Sequence, residues 1–384
     1  MADRYKKKRK KQISFFDYSL LFVVLFLIGF GLVMIYSTSS YEANIEYKDA
    51  AFYLKKQVIS TIIGIVAMTI VSRIDYHFWD RFAIIGYFVS IILIVLVLSP
   101  LGIESKGARR WLNLGMSLQP AEVAKLCIIL LLASIICKMG KGIRTRKGVF
   151  LVVGAPLIVS FLIYIITKNL SSAIIVMGIA IIMLFVASPD YKKFILMGVG
   201  GIAFASAVVM VIVKMADGSN LDFRGERVLA WLDPEKFASG KGFQTLQSLY
   251  AIGSGGIFGK GIGQSMQKLG FIPEAQNDMI FSIICEELGL FGAIAVILLF
   301  VLLIWRCMII ANNANDLFGA LLVVGVMGHF AIQVILNIAV VTNTIPNTGI
   351  TLPFISYGGS STLFLLIEIG LVLSVARGIH FKDT

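Results

Sequence analysis

The feature that most limits what this chain can become is a succession of apolar runs, each near the length of a bilayer-crossing helix. They lie at about 17–37, 57–72, 81–100, 122–138, 149–166, 171–187, 193–213, 279–305, 317–341 and 357–376. A hydrocarbon core of about 30 Å takes about 20 helical residues to cross. No water is present there to satisfy a bare peptide group, so only helices or closed barrels cross it. The runs show no strand-like alternation, which leaves helices. The whole chain is 58% hydrophobic and only 15% charged, against about 25% charged in a soluble domain. The expected fold is therefore an all-α integral membrane protein, a bundle of about ten transmembrane helices. A long extracellular loop, 214–278, separates spans seven and eight. Residues 1–16 read as a basic cytoplasmic tail, 17–377 as the transmembrane domain and 378–384 as a second cytoplasmic tail. No solenoid repeat and no separate soluble domain is visible.

Charge sets the expected orientation. The net charge is +12, and the first eleven residues hold seven Lys or Arg. Such a cluster anchors a terminus against anionic lipid on the cytoplasmic side. Nucleic acid is a poor partner, because no groove-reading or aromatic pattern accompanies the charge. The connector 138–148 carries five Lys or Arg and falls on the same side. The apolar stretch after the tail is too long for a cleavable signal peptide. The four cysteines, Cys127, Cys137, Cys285 and Cys307, lie in or beside apolar spans without metal spacing and read as packing residues.

The outer segments hold the chemistry, and what they lack is informative. The three histidines, His77, His329 and His380, fall inside or within a span. Proton transfer on the outer face must then use a carboxylate, Lys or Tyr. The stretch "GSGGIFGKGIG" has six glycines between 253 and 263, but it lacks the first Gly and the Ser/Thr of a phosphate loop. It reads as a loop packed closely against helices or the membrane, where a Cβ would not fit.

Asp278 is the carboxylate that stands apart. It abuts a long apolar run, so it sits at the mouth of span eight and partly out of water. Two readings are open: a general base of raised pKa, or, with Asn277, a helix cap. Asp233, followed by proline, reads as a turn former. Glu286, Glu287 and Glu368 lie within spans, where a carboxylate is either a functional group or a partner in an ion pair inside the bundle. The segment 101–121 brings Arg109, Arg110 and Trp111, then Glu122 and Lys125 on one helix face. Glu122 and Lys125 form either a plain ion pair or part of a cationic site for a lipid-linked pyrophosphate. Trp111 is an interface anchor or a sugar-stacking surface. Gln267 and Lys268 add donors. One carboxylate, several cations and amphipathic walls together suit a polyprenyl-pyrophosphate glycan.

These residues fall in "GARRWL" (107–112), "QPAEVAK" (119–125), "RVLAWLDP" (227–234), "AIGSGGIFGKGIGQSMQKLGFIPEAQNDMIF" (251–281), "EELG" (286–289) and "LPFISYGGSS" (352–361). In this order, with ten spans and a long fourth outer loop, they resemble the SEDS family of FtsW, RodA and SpoVE, from near residue 17 to about residue 377. The stretch "NTIPNTGITLPFISYGG" looks more like FtsW or SpoVE than RodA. The resemblance implies a peptidoglycan glycosyltransferase that polymerises lipid II outside the cytoplasmic membrane of a bacterium, in division or sporulation. It implies Asp278 as the catalytic acid. It places Arg109 and Trp111 on one motif, and Glu122 and Lys125 on another. With Arg110, Lys268, Gln276, Asn277, Ser356 and Ser360 they make the substrate-binding set. The implied partners are lipid II, a class B penicillin-binding protein, other division proteins and membrane lipid. No cofactor is assigned, and a divalent cation, Mg2+ or Mn2+, is admitted. The chain departs from the family in two places. Gln276-Asn277-Asp278 stands where His-Thr-Asp is common, and Asn169 and Ser171 replace an Asp and a Gly between spans five and six. A lipid II flippase and a divisome scaffold are the alternative functions.

Overall fold

The computed structural model describes residues 17–105, 108–113, 115, 117–188, 191–216, 223–240 and 242–379. The lysine-rich tail, residues 217–222 and His380 lie outside the described residues. Each expected span has its helix: α1 (Tyr18–Tyr47), α2 (Phe52–Arg73), α4 (Ala83–Leu96), α5 (Pro120–Met139), α6 (Arg146–Ile166), α7 (Leu170–Ala187), α8 (Tyr191–Ala216), α11 (Ile280–Asn312), α12 (Leu317–Val341) and α13 (Gly359–Gly378). Shorter helices lie between them: α3 (His77–Asp80), α9 (Phe223–Leu232) and α10 (Phe243–Gly255). Eight are long and apolar enough to cross a membrane among the described residues, while α4 is shorter. The chain is thus a multi-pass membrane protein.

Local sequence explains the ends. Asp17 caps α1 by accepting from the Leu20 amide at 2.9 Å, and Pro120 stands in the first turn of α5, where its missing N–H is not needed. Asp316 caps α12 through the Gly319 amide. α5, α12 and α13 are largely buried, whereas α6 and α2 show much of their apolar surface to the bilayer.

Two features depart from a plain helical bundle. The first is a small antiparallel sheet in the segment 101–121: β1 (Gly102–Ser105), β2 (Ala108–Asn113) and β3 (Ser117–Leu118), in the order β1-β2-β3. Ala108 and Leu112 turn inward from β2, and Arg109 turns out. Two short runs of that kind give too little alternation to stand out in the sequence.

The second is that the segment between α8 and α11 does not stay outside the bundle. α10 runs along α11, and the glycine stretch after it threads into a break in α11 at Gly289, which has φ 66° and ψ −165°. The amides of Lys260 and Gly261 donate to the carbonyls of Glu286 and Glu287, each at 2.9 Å. In return, the amides of Leu290 and Phe291 donate to Gly256 and Ile257 at 2.9 and 3.1 Å. Four peptide groups at the break thus find partners across the crossing, as a low-dielectric interior demands. Gly259 and Gly289 both have positive φ, and a Cβ at either would collide with the other strand of this crossing. Gly289 lies nine residues into α11, about 14 Å along its axis. The expected close glycine packing is present, at a depth the sequence did not indicate.

The intramembrane carboxylates are paired. Glu286 holds Lys260 at 2.6 Å, with Ser265 also donating to it. Glu287 holds Lys268 at 2.8 Å and Ser37 at 2.7 Å. Glu368 meets His329 at 2.8 Å. At the other end of the bundle Arg306 meets Asp17 at 2.6 Å. Cys127, Cys285 and Cys307 are buried thiols without disulfides.

Candidate functional site

Asp278 lies in the turn that leads into α11 and is half-buried. It does not cap that helix. The capping position is Met279, without a side-chain hydrogen bond, and Asn277 instead donates to Glu274 at 3.1 Å. The helix-cap reading of both residues is thereby corrected. Asn337 of α12 donates to the Asp278 carbonyl at 2.8 Å and fixes the turn from behind. Gly349, at φ 70°, lies against the carboxylate, and a methyl group there would stand 3.6 Å from Oδ2.

Two arginines come to this turn from distant parts of the chain. Arg110 of β2 donates to the carbonyls of Thr167 and Lys168, each at 3.3 Å, which ties the sheet to the α6–α7 connection. Arg227 of α9 donates to the Asn347 carbonyl at 3.3 Å. Burial and the charge of Arg110 lower the pKa of Arg227, while the carboxylate of Asp278 raises it. Burial also lowers that of Arg110. Arg227, partly desolvated, thus feels the charges of both Asp278 and Arg110.

The segment 342–358 forms the rear of the site. Trp231, one turn after Arg227 on α9, donates to the Asn343 carbonyl at 3.0 Å. Asn347 donates to Gln244 of α10 at 3.1 Å, and Ser171 donates to Thr348 at 2.5 Å. Arg227 was missed in the sequence although "RVLAWLDP" was noticed. Its signal is the i, i+4 spacing of Arg227 and Trp231 on a short amphipathic helix, which puts both on one face.

Other expected residues are placed differently. Arg109 turns away, toward Glu104 at 3.6 Å and the Leu98 carbonyl at 3.4 Å. Trp111 is half-buried within β2, in register with Ile103. Glu122 and Lys125 are both buried and meet at 2.8 Å, with Lys125 donating to Gln333 at 3.5 Å. Gln333 lies one turn from Asn337 on α12, so the pair supports the site from beneath. Of the two readings left open for Glu122 and Lys125, the plain ion pair is the one observed, while Lys268 was expected to add a free donor. Both lysines are committed to buried carboxylates, because an unpaired charge in the bundle would cost several kcal/mol. Gln276 is buried and donates to Glu42 at 3.0 Å. Ser356 accepts from the Leu352 amide at 2.8 Å within a turn, and Ser360 is buried at the start of α13. These residues shape the mouth of the bundle rather than line it with free donors.

Such an arrangement defines a class: a multi-pass membrane protein with a charged centre where one of its central helices begins. The particular family follows from comparison. The chain matches the family described as Cell cycle protein, FTSW_RODA_SPOVE, over residues 18–380, and it belongs to that family. It is 40% identical to the "Probable peptidoglycan glycosyltransferase FtsW" of Trichlorobacter lovleyi over 96% of this chain and 95% of that protein. It is 38% identical to "Stage V sporulation protein E" of Bacillus subtilis over 94% of this chain and 97% of that protein. Among solved structures it resembles a chain described under "Structural coordination of polymerization and crosslinking by a peptidoglycan synthase complex". The TM-score is 0.76 and the identity 29%, over 94% of this chain and 98% of that one. It also resembles the rod shape determining protein RodA of Thermus thermophilus, with a TM-score of 0.67 and 27% identity over 96% of this chain and 98% of that one.

Proposed function

We infer that this chain is a peptidoglycan glycosyltransferase that polymerises lipid II on the outer face of the cytoplasmic membrane. Membership of the family and the relatives described as peptidoglycan glycosyltransferases support the reaction. The observation that carries the residue roles is Asp278, at the start of α11, within electrostatic reach of Arg227, which in turn feels Arg110.

The reaction is an inverting single displacement. Asp278 takes the proton of the acceptor's GlcNAc 4-hydroxyl. The oxygen forms its bond to the donor's anomeric carbon, the bond from that carbon to the pyrophosphate breaks, and its electron pair leaves with undecaprenyl pyrophosphate. Ordinary inverting hydrolysis needs a second acid to protonate the leaving oxygen. Pyrophosphate is a far better leaving group and needs its charge stabilised instead. Two guanidiniums in a partly dry site suit that role, since their planar forks match phosphate oxygens.

Among the described residues no group of three or more His, Cys, Asp or Glu is placed to hold a metal ion. No step is therefore assigned to a metal. An Mg2+ or Mn2+ ion would arrive on the substrate's pyrophosphate, and chelation during turnover tests for it. A class B penicillin-binding protein and other division proteins are the proposed partners, with both termini in the cytoplasm.

The test is to incubate purified protein, with its transpeptidase partner, with lipid II in detergent. Long glycan chains are the expected product. Detergent offers no second leaflet, so chain growth there separates polymerisation from lipid II transport. Absence of polymer from a folded, partner-bound protein overturns this reading.

A further inference from the structure

The ends of α1 and α2 meet the segment before α13 in a group of aromatic and acidic side chains. α1 has 30 residues and is about 45 Å long at 1.5 Å per residue. That exceeds a core of about 30 Å, so its last turns, with Glu42, Glu46 and Tyr47, stand clear of the bilayer. Tyr47 stacks on Phe52 with centroids 3.8 Å apart. Tyr53 meets Tyr47 edge-on at 5.9 Å and Tyr357 at 5.1 Å. Interface-anchoring tyrosines usually face lipid singly, whereas these rings pack on one another around the mouth.

The group is joined directly to the reactive turn. The Tyr357 amide donates to the Gln276 carbonyl at 2.9 Å, and the Gln276 side chain donates to Glu42 at 3.0 Å. The side-chain oxygen of Gln276, itself buried, has no hydrogen-bond partner. Gln276 is two residues from Asp278, a chain distance of at most about 7 Å. Aromatic faces that stack on the C–H faces of sugar rings, with carboxylates that accept from hydroxyls, are the chemistry of a saccharide site.

The chemistry supplies the assignment. A general base must reach the acceptor's hydroxyl, so the acceptor sugar stands at the Asp278 turn, to which this group is joined through Gln276. We propose that Tyr53, Tyr357, Glu42 and Glu46 form the saccharide subsite that holds the acceptor's glycan. The proposal rests on the glycosyltransferase reading above.

The probe is a soluble tetrasaccharide of alternating GlcNAc and MurNAc, free of lipid and pyrophosphate. Its binding to the full chain in detergent is followed by saturation-transfer NMR. Wild type is expected to bind. Tyr53→Ala and Glu42→Gln should each weaken binding about tenfold, the loss of one charged hydrogen bond or its equivalent. Tyr53→Phe keeps the ring and should bind as wild type does, which separates loss of the subsite from misfolding. Arg110→Ala should leave tetrasaccharide binding unchanged. No binding by wild type, undiminished binding by both Tyr53→Ala and Glu42→Gln, or loss through Arg110→Ala overturns the proposal.

Polymerisation assayed in parallel separates the two readings. Saccharide binding without any polymer from wild type overturns the reaction and leaves the subsite standing. Polymerisation in which Tyr53→Ala raises neither the acceptor KM nor the proportion of short chains overturns the subsite alone.

Discussion

Asn337 donates to the main-chain carbonyl of Asp278 at 2.8 Å and to that of Ile350 at 2.6 Å. One amide thus pins the reactive turn to the segment behind it. Gln333, four residues earlier, donates to the Thr351 carbonyl at 3.0 Å and accepts from Lys125. His329, four earlier again, meets Glu368. These three share one face of α12, and the rungs they form run from the site into the bundle. Asn337→Leu keeps the bulk and removes both donors, leaving two buried carbonyls without partners. Each costs about 1–3 kcal/mol, so the melting temperature should drop. The variant should lower kcat more than it raises KM, because the turn carrying Asp278 loses its support. Steady-state kinetics beside a melting curve checks both.

Asp278→Asn should fold normally and lose activity. General-base help is worth about 10²–10⁴-fold, and an amide cannot take the acceptor's proton. Glycan synthesis from lipid II, normalised to folded protein, measures the loss; near-normal synthesis would remove Asp278 from its role.

The two adjacent arginines of β2 should behave differently. Arg110 reaches the α6–α7 connection beside Arg227, while Arg109 pairs with Glu104 and is half-exposed. Arg110→Ala should therefore cut polymerisation far more than Arg109→Ala. Arg227→Lys keeps the charge but not the planar fork, and should lower kcat/KM by about tenfold or more. Equal effects at 109 and 110 would contradict this geometry.

Gly289→Ala places a methyl group where α11 crosses the glycine stretch, at a left-handed φ of 66°. With ψ at −165° this backbone region is essentially open to glycine alone, and an L-residue there costs about 1–3 kcal/mol, to which the collision adds. Lower thermal stability and lower activity are expected together, since the same crossing holds the chain that leads back to Asp278. A melting temperature equal to wild type would argue against the crossing.

Lys268 and Glu287 offer a double-mutant test. Breaking a buried pair leaves a lone charge and costs about 3–5 kcal/mol. Lys268→Met or Glu287→Leu alone should thus be strongly destabilising. The double variant should recover most of the loss, because no charge is left in the interior. Additive losses would mean that the two side chains act independently.

The sequence by itself determined the spans, because hydropathy is summed along contiguous residues and a bilayer imposes one length on them all. It also singled out Asp278, a carboxylate at the edge of an apolar run, and the glycines that had to pack without a Cβ. Those properties are local. Which cation serves which carboxylate is not local. Lys125 and Lys268 look available in the chain, but burial beside Glu122 and Glu287 commits them. Arg109 and Arg110 look equivalent until β2 turns one toward Glu104 and the other toward the α6–α7 connection. Arg227, 51 positions before Asp278 in the chain, joins the site only because α9 lies against the segment 342–358. The tertiary structure decided these assignments, since electrostatic partners are chosen by packing across the bundle and low dielectric penalises every charge left alone.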